Sequence, residues 1–404
     1  MYSKCYQLNV LKMKQFCTRF IKKHTKTVGD TNEVDEMTSG ALILQRAFGQ
    51  QVLDPCWTWK KFSVHHTLNF LLFVYVFFGT LQCLNTSDDR DVIAEACYTV
   101  IMIGIFPLKV VLFMKNRFVF RKLYITAKTS LINVIKADPA SDIGNVLRTA
   151  NRIVYALFSL VLVPCSIYEL TTLWNYMNEN RVLLSRSTKT LMSMTTPYYE
   201  IAWFIHTVFL IEISSTIILD MWFVLLVYFL CAASDSIKRI LEVEQRRQNE
   251  RKLAYASRLN RALKKFHFVH MKYLNSLSLM YSWLGFVPLC NAAMCTCLIL
   301  LLLSKDINWR FAPHMLPMFA EIFAYNWFGE QIKTKAKDLN AALLNFDWTN
   351  LKQEDKKNYY IIATYMQKNF GIKTVIGNDL SLITMTAVLK VTYQAFTVLQ
   401  TMEK

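Results

Sequence analysis

The chain has no Cys-x-x-Cys pair, no apolar core behind its first residues, no internal repeat and no low-complexity tract. Its ten cysteines are scattered, several of them inside apolar runs (Cys231, Cys290, Cys295 and Cys297), so they read as small hydrophobes and not as a zinc or redox site. His267 and His270 stand three apart with no carboxylate nearby in sequence, so no metal site is expected there. The start, Met1-Tyr-Ser-Lys-Cys, lacks the apolar stretch of a cleavable signal peptide. The apolar runs carry no His/Asp cluster for catalysis inside a membrane, and no repeated broken-helix pattern of the transporter kind. Acidic residues are scarce too, 29 against 46 Lys and Arg, for a formal net charge of +17. Such an excess can mark a nucleic-acid binder, but here the basic residues lie in loops flanking apolar runs, as membrane orientation requires. The expected partner is therefore membrane lipid, with no nucleic acid, cofactor or metal.

What is present is apolar sequence in long blocks. Of 404 residues, 53% are hydrophobic and 14% aromatic, and the mean hydropathy is +0.23. That composition, with the charges set between the blocks, describes an all-α polytopic membrane protein. The spacing predicts seven spans, at about 65–84, 92–114, 152–174, 199–231, 277–303, 311–333 and 380–402, each able to cross a core of ~30 Å. The fourth is overlong, is expected to extend into solvent, and carries Glu200, Glu212 and Asp220. Before the first span, residues 1–64 are polar and basic, and Trp57 and Trp59 after Pro55 suggest an interfacial anchor.

Lys and Arg in the loops set the expected orientation. The segments 1–64, 115–150, 232–276 and 334–378 together carry 35, and the alternate loops 7. The N-terminus is thus expected in the cytoplasm and the C-terminus outside. The glycosylation sequon Asn85-Thr-Ser falls in the predicted outer loop, an independent signal for the same orientation. Cys83 and Cys97 flank that loop and are candidates for a disulfide. The orientation is opposite to that of a G-protein-coupled receptor, and the chain lacks an Asp-Arg-Tyr after the third span and an Asn-Pro-x-x-Tyr in the seventh. A metabotropic receptor is disfavoured on those grounds.

The linker 232–276 alternates basic residues with Ile237, Leu241, Leu253, Leu259, Leu263 and Phe266 at helical spacing, and is expected to continue the fourth helix into the cytosol. Such a basic face also suits anionic headgroups. Residues 334–378 should form a second cytoplasmic helical element, in which Asp347-Trp-Thr-Asn looks like a helix start capped by Thr349 or Asn350.

The last span carries a pattern of its own. At 100° per residue, Thr386, Lys390, Tyr393, Gln394, Thr397, Gln400 and Thr401 fall within about 120° of arc, while the remaining positions from Ala387 to Leu399 are apolar except for Thr392. Unsatisfied polar groups cost several kcal/mol in lipid, so this stripe must face other helices or water. Polar glue between helices and a pore lining both satisfy that requirement.

Three segments in this half of the chain carry a resemblance: Phe323-Ala-Tyr-Asn-Trp-Phe-Gly-Glu330, the lone Trp348 in a polar linker, and Leu380-Ser-Leu-Ile-Thr-Met-Thr-Ala-Val-Leu-Lys-Val-Thr-Tyr393. Together they resemble the insect odorant receptor family, in which a Tyr-x-Trp-Phe-Gly-Glu run closes the sixth helix and Leu-Ser-Leu followed by Leu-Lys-x-x-Tyr opens the seventh. Elsewhere the likeness is one of length, helix count and charge pattern. The family usually has Ser where this chain has Gln394, which bears on pore detail. A gustatory receptor, the same class of channel, is disfavoured by the Trp-Phe-Gly-Glu and Leu-Ser-Leu details.

The resemblance implies an odorant-gated, non-selective cation channel subunit that works with a shared co-receptor in a tetramer. It implies a six-helix ligand-binding region at 65–333, including the linker 232–276 as part of an intracellular domain that holds subunits together. It implies an oligomerisation helix in 334–378 and a pore-lining helix at 379–404. The blander account of Trp348 is that it anchors at the membrane or packs locally. The family's co-receptor is longer, through an insertion after the fourth span that this chain lacks, which points to an odorant-tuning subunit. A small volatile molecule is expected between the helices, among apolar and aromatic residues of the outer halves of spans two, three, four and six. These are Tyr98, Ile101 and Met102; Tyr168 and Thr172; Trp203, Phe204 and His206; and Met315 and Phe319. The expected pore residues are Lys390, Tyr393, Gln394, Thr397, Gln400 and Thr401, with Thr397, Gln400 and Thr401 ringing the outer end. Lys390 suits a cation pore only near the cytoplasmic mouth, paired with Glu330 or Glu321, or diluted by partner subunits. Glu169, Glu212, Glu321 and Lys390 are intramembrane charges, functional candidates whose commoner role is interior pairing.

Overall fold

The computed structural model describes residues 39–48, 59–88, 90–181, 194–247, 254–305, 312–349 and 351–402. Most of the N-terminal region 1–64, including Trp57, lies outside them, as do Asn350, parts of the loops 84–91, 175–198, 232–276 and 304–310, and the side chains of Trp59 and Glu212. Within the described residues the chain is all-α. The first half comprises α1 (Ser39–Ala47), α2 (Trp59–Thr86), α3 (Arg90–Lys115), α4 (Arg117–Thr126), a π-helical turn (Ala127–Leu131), α5 (Ile132–Lys136) and α6 (Ile143–Met177). The second comprises α7 (Tyr198–Ser214), α8 (Ile217–Arg247), α9 (Ala254–Lys305), α10 (Ala312–Asn345), α11 (Gln353–Met366) and α12 (Leu382–Met402).

Six helices among the described residues are long and apolar enough to cross a membrane, over Asn69–Thr86, Val92–Lys115, Ile143–Met177, Ile217–Val243, Ala262–Leu303 and Leu382–Thr401. Two of the seven expected spans differ from expectation. The fourth, 199–231, is broken: α7 stops at Ser214 and α8 starts at Ile217. Ser and Thr side chains compete with the backbone for helix hydrogen bonds, and here Ile218 and Leu219 bond back only three residues, to Ser215 and Thr216 (3.1 and 2.9 Å). The sixth, 311–333, lies in α10, which at 34 residues is long enough but is not apolar enough to be among the six. Its His314, Glu321, Asn326, Glu330 and Lys333 lower the hydropathy. The most deeply buried of them, Asn326, is fully enclosed and satisfied inside the protein.

The core sits around α8. From Ile217 to Val227 its residues are buried all round, the signature of a helix enclosed by others. It packs chiefly on α10, with α6 and α9 beside it. Trp222 donates its indole N–H to Gln45 of α1 (3.1 Å), and Phe223 stacks on Tyr325 of α10 with centroids 4.5 Å apart. Burying Phe223, which is fully enclosed, contributes on the order of 2 kcal/mol by area alone. By contrast, Phe70, Phe78, Val111, Leu170 and Trp174 remain exposed on the outer surface, as lipid contact demands.

Below the spans the helices run on. At ~1.5 Å per residue the 52 residues of α9 reach about 78 Å, far beyond a bilayer core of ~30 Å. Its lower part carries His267 and His270, which pack edge-on against Tyr365 of α11 at 4.4 and 6.0 Å. Tyr359 of α11 donates to the Leu343 carbonyl of α10. The expected helix start at Asp347-Trp-Thr-Asn is a turn instead, because Asp347 Oδ1 accepts from the Thr349 amide (3.1 Å) and Leu351 bonds back to Trp348. Helix α11 begins six residues later than Asp347, at Gln353, with Lys352 at its N-cap and Glu354 and Asp355 in the first turn, where carboxylates suit the helix dipole. Cys97 is a free thiol, so the Cys83–Cys97 disulfide is not formed.

Candidate functional site

Three prolines set the level at which the helices part. Pro107, Pro164 and Pro317 lie inside α3, α6 and α10, and each removes a rung of the helix ladder and crowds the carbonyl a turn before it. Pro164 and Pro317, together with Phe106 beside Pro107 and with Ser214 and Thr216 at the α7–α8 break, line one cavity of about 150 Å³. Its upper wall is aromatic. Tyr98 hydrogen-bonds His314 Nδ1 at 2.9 Å, and the His314 ring lies 6.0 Å from Tyr98 and 5.8 Å from Tyr168. Met102, Ile103 and Met318 complete an apolar ring above a polar base.

The base is an ion cluster. Lys109 of α3 donates to Asp220 of α8 at 3.0 Å and to Glu321 of α10. Asp220 also accepts from Tyr325 of α10 at 2.7 Å. The side chains of Lys109, Asp220 and Glu321 are 3, 5 and 12% exposed. The three charges thus bind the second, fourth and sixth predicted spans together directly under the cavity. A buried charge persists only when paired and hydrogen-bonded, and these satisfy one another.

Of the ten expected ligand residues, the structure brings three to the cavity: Tyr98, Met102 and Tyr168. Ile101 and Met315 pack beside it, against the small cluster of Tyr98, Cys295, Ile299, Leu302 and Met318. Thr172 is buried a turn above, its hydroxyl spent on the Tyr168 carbonyl (3.0 Å). Trp203 donates to Glu169 (2.9 Å), His206 is buried edge-on to Tyr75, Phe204 is 70% exposed, and Phe319 lies against the main core. None of these seven lines the cavity. His314, Lys109 and Asn291 were not expected there, while Asp220 and Glu321 stood out only as charges within spans. A scan of the spans for any charge would have found Lys109, whereas nothing local marks His314 or Asn291.

This sorting predicts that Tyr168→Ala raises the half-maximal ligand concentration by roughly tenfold, the loss of one aromatic wall contact of about 1.4 kcal/mol. Phe204→Ala should leave it within about twofold, since an exposed side chain has no contact to lose. Dose–response recordings normalised to surface protein check both, and an equal shift in the two variants would remove Tyr168 from the site.

From the cavity, α10 leads to the last helix. Asn326, next to Tyr325, bonds the Ile322 carbonyl through its amide (2.7 Å) and offers its oxygen to the Ser381 N–H at 3.0 Å. One turn on, Gly329 lies so close to Leu380 that a Cβ there would sit 2.3 Å from the Leu380 carbonyl oxygen. The segment before α12 is a tight hairpin, with Leu380 N–H bonded to Ile372 (2.8 Å), Thr374 to Asn378 (2.7 Å), and Gly377 at the turn with φ +88°, a conformation glycine adopts freely. Lys333 pairs with Asp379 at 2.8 Å and Val375 bonds Ser282 of α9. The Tyr-Asn-Trp-Phe-Gly and Leu-Ser-Leu runs are therefore the two halves of one clasp.

Helix α12 packs on the rest of the subunit through Met385, Val388 and Leu389, with Thr392 buried on the same side. The polar stripe is centred about 120° away from that face at 100° per residue. Lys390, Tyr393, Gln394, Gln400 and Thr401 are exposed, and Thr397 is half-buried. The hydroxyls of Thr386, Thr397 and Thr401 bond their own helix carbonyls at 2.7–2.9 Å. Among the described residues, the stripe is not glue to this subunit's own helices. Pairing of Lys390 with Glu321 is also overturned, since Glu321 is held by Lys109. Asn85 is exposed in the last turn of α2.

No curated protein matches the chain in sequence. The fold is shared with two solved structures of the insect olfactory receptor OR5 from Machilis hrabei, one of them in complex with eugenol. They align with TM-scores of 0.73 and 0.74 at 13% identity, covering 91% of this chain and 98% of theirs. A family model described as 7tm Odorant receptor matches residues 90–393. With that match running from α3 through the cavity and the clasp into the polar stripe of α12, the chain belongs to the odorant receptor family.

Proposed function

We propose that this chain is the odorant-tuning subunit of a ligand-gated, non-selective cation channel. A small volatile molecule binds in the cavity between α3, α6, α8 and α10, and the last helix lines the pore. The observation that carries this reading is the position of the stripe on α12, centred away from the face that packs on the described helices of its own subunit. In a lipid-embedded protein such a face needs water or other subunits, and four copies around an axis supply both. Uncharged hydroxyls and amides such as Thr397, Gln400 and Thr401 replace part of an ion's hydration shell without strong selectivity. The subunit crosses the plasma membrane seven times with its N-terminus inside and Asn85 outside, α7 and the upper part of α8 together forming the fourth crossing and the upper part of α10 the sixth. The partner is the longer shared co-receptor. Ligand opens the pore to the extent that it binds the open state better than the closed one.

Whole-cell recording with and without an insect co-receptor, with GDP-β-S in the pipette, tests this. The expected result is a rapid odorant-evoked cation current that requires the co-receptor and survives the block. Thr401→Lys should reduce cation permeability at unchanged surface level. Current abolished by the block, or unaltered permeation in Thr401→Lys, would count against the channel reading or against the stripe as its lining.

A further inference from the structure

Helix α9 contributes one side chain to the cavity, and it is an amide. Asn291 is 4% exposed and borders the cavity from that helix. Its Oδ1 accepts from the Cys295 thiol, one turn further along α9, at 3.1 Å. Its Nδ2 finds no acceptor among the described residues. An asparagine in a membrane helix ordinarily bonds across to a neighbouring helix or back to its own backbone; this nitrogen does neither. Nearby donors are already committed. Thr99 donates to the Glu95 carbonyl (2.9 Å), Ser214 to the Leu210 carbonyl (2.7 Å), and Lys109 to its two carboxylates. A buried amide with unmet N–H groups is costly, so what the Asn291 wall lacks is an acceptor. Size sets the second constraint. A cavity near 150 Å³ takes a benzene-sized guest, so a ligand of one ring with a short substituent fills it and a long chain does not.

We propose that Asn291 is the polar anchor of the cavity, and that it selects ring-sized volatiles bearing a carbonyl oxygen, ketones and aldehydes, over hydrocarbons of the same shape. The inference rests on the reading of this cavity as the odorant site. The carbonyl oxygen of the guest accepts from Asn291 Nδ2, and its ring packs on apolar lining such as Met102 and Met318. A carbonyl has no proton to give, so it asks nothing of Asp220 and Glu321, which Lys109 and Tyr325 already serve. A hydrocarbon guest fills the same volume but displaces any water from the amide without replacing its bond. A site with a buried hydrogen-bonding group discriminates against the analogue that cannot make the bond.

Cyclohexanone and methylenecyclohexane share a ring and differ in one exocyclic group, oxygen against CH2. Thermal unfolding of the purified full-length chain over a concentration series of each probe reads binding without requiring activation, because a ligand that binds only the folded state raises the midpoint. The ratio of the two affinities is then compared between the native chain and Asn291→Leu, which keeps the bulk of the side chain and removes its N–H groups. Comparing ratios cancels the unequal partition of the probes into detergent. Asn291→Leu is expected to weaken the ketone relative to the hydrocarbon by at least roughly tenfold, a difference of about 1.4 kcal/mol. If Asn291→Leu does not fold, the infrared carbonyl stretch of cyclohexanone bound to the native chain decides, since a hydrogen-bonded carbonyl absorbs at lower frequency than one in dodecane. Met102→Trp fills the cavity and should abolish stabilisation by both probes. An affinity ratio within about twofold of native in Asn291→Leu, or a bound carbonyl band at its dodecane position, overturns the anchor and leaves the cavity standing as a site. No stabilisation of the native chain by cyclohexanone also overturns the anchor. Stabilisation that persists in Met102→Trp places the probes elsewhere, and overturns the reading of the cavity together with the proposal built on it.

Discussion

Replacing Lys109 by Met is expected to remove most of the folded receptor from the cell surface. The side chain is nearly the same length and more apolar, so a view of the second span as a greasy helix would score the change as neutral or favourable. The structure argues the reverse, because Lys109 is the sole cation holding Asp220 and Glu321 among the described residues. Its loss leaves two carboxylates facing one another out of reach of water. Removing one partner of a buried ion pair costs about 3–5 kcal/mol, against total stabilities of about 5–15 kcal/mol. The asymmetry within the cluster sharpens the prediction. Glu321→Gln leaves one cation with one anion and should retain most surface expression. The triple change of Lys109→Met, Asp220→Asn and Glu321→Gln removes every charge, keeps hydrogen-bonding groups beside Tyr325, and should recover much of what the single change loses. Surface biotinylation and the thermal midpoint of detergent-solubilised receptor measure both. Wild-type expression of Lys109→Met would mean that the cluster does not hold the three helices together.

That cluster also marks where sequence reading stops. Asp220 and Glu321 are conspicuous as charges within spans, but their partner lies 111 and 212 residues away, and neither periodicity nor spacing encodes such a pairing. The pocket shows the same limit in another form. Tyr98, Met102 and Tyr168 were legible because aromatic and soft side chains in outer half-spans favour ligand sites. Trp203, Phe204 and His206 satisfied the same criterion and lie elsewhere, since composition does not say how far a helix is rotated or at what depth it breaks. Helix α7 meets the cavity one to two turns deeper, through Phe209, Leu210 and Ser214. The stripe on α12 was legible because it is a property of one helix alone. Its exposure required knowing which side of that helix its own subunit covers. The two runs that carried the family resemblance were visible as motifs, and their contact through Asn326 and Gly329 was not.

Gly329→Ala should silence the proposed channel while leaving the proposed ligand site intact. Most glycines tolerate a methyl group when the neighbour is the mobile end of a side chain, and Gly285 provides the comparison within this protein. A Cβ at Gly285 would meet Leu380 Cδ1 at 2.8 Å, a methyl that can rotate aside. At Gly329 the methyl would meet the Leu380 carbonyl oxygen at 2.3 Å, its Cβ at 2.9 Å and its carbonyl carbon at 3.0 Å, all fixed to the backbone. Relief requires the chain at Leu380–Ser381 to move off α10 by on the order of 1 Å, given an ordinary van der Waals separation of about 3.5 Å. Such a move breaks the Asn326–Ser381 bond. That bond joins a helix that borders the cavity to the residue immediately before the helix proposed to line the pore, so its loss uncouples ligand occupancy from opening. A drop in maximal current of at least about tenfold, corresponding to some 1.4 kcal/mol in the closed–open equilibrium, is expected at near-normal surface level. Gly285→Ala should stay within about twofold. Probe binding by thermal shift should be preserved in both, because neither glycine borders the cavity. Full current from Gly329→Ala would show that the proposed pore helix is not driven through this contact. Loss of binding together with current would assign Gly329 a role in assembling the site, and the path from cavity to pore would have to run through α9, the other helix that α12 packs against.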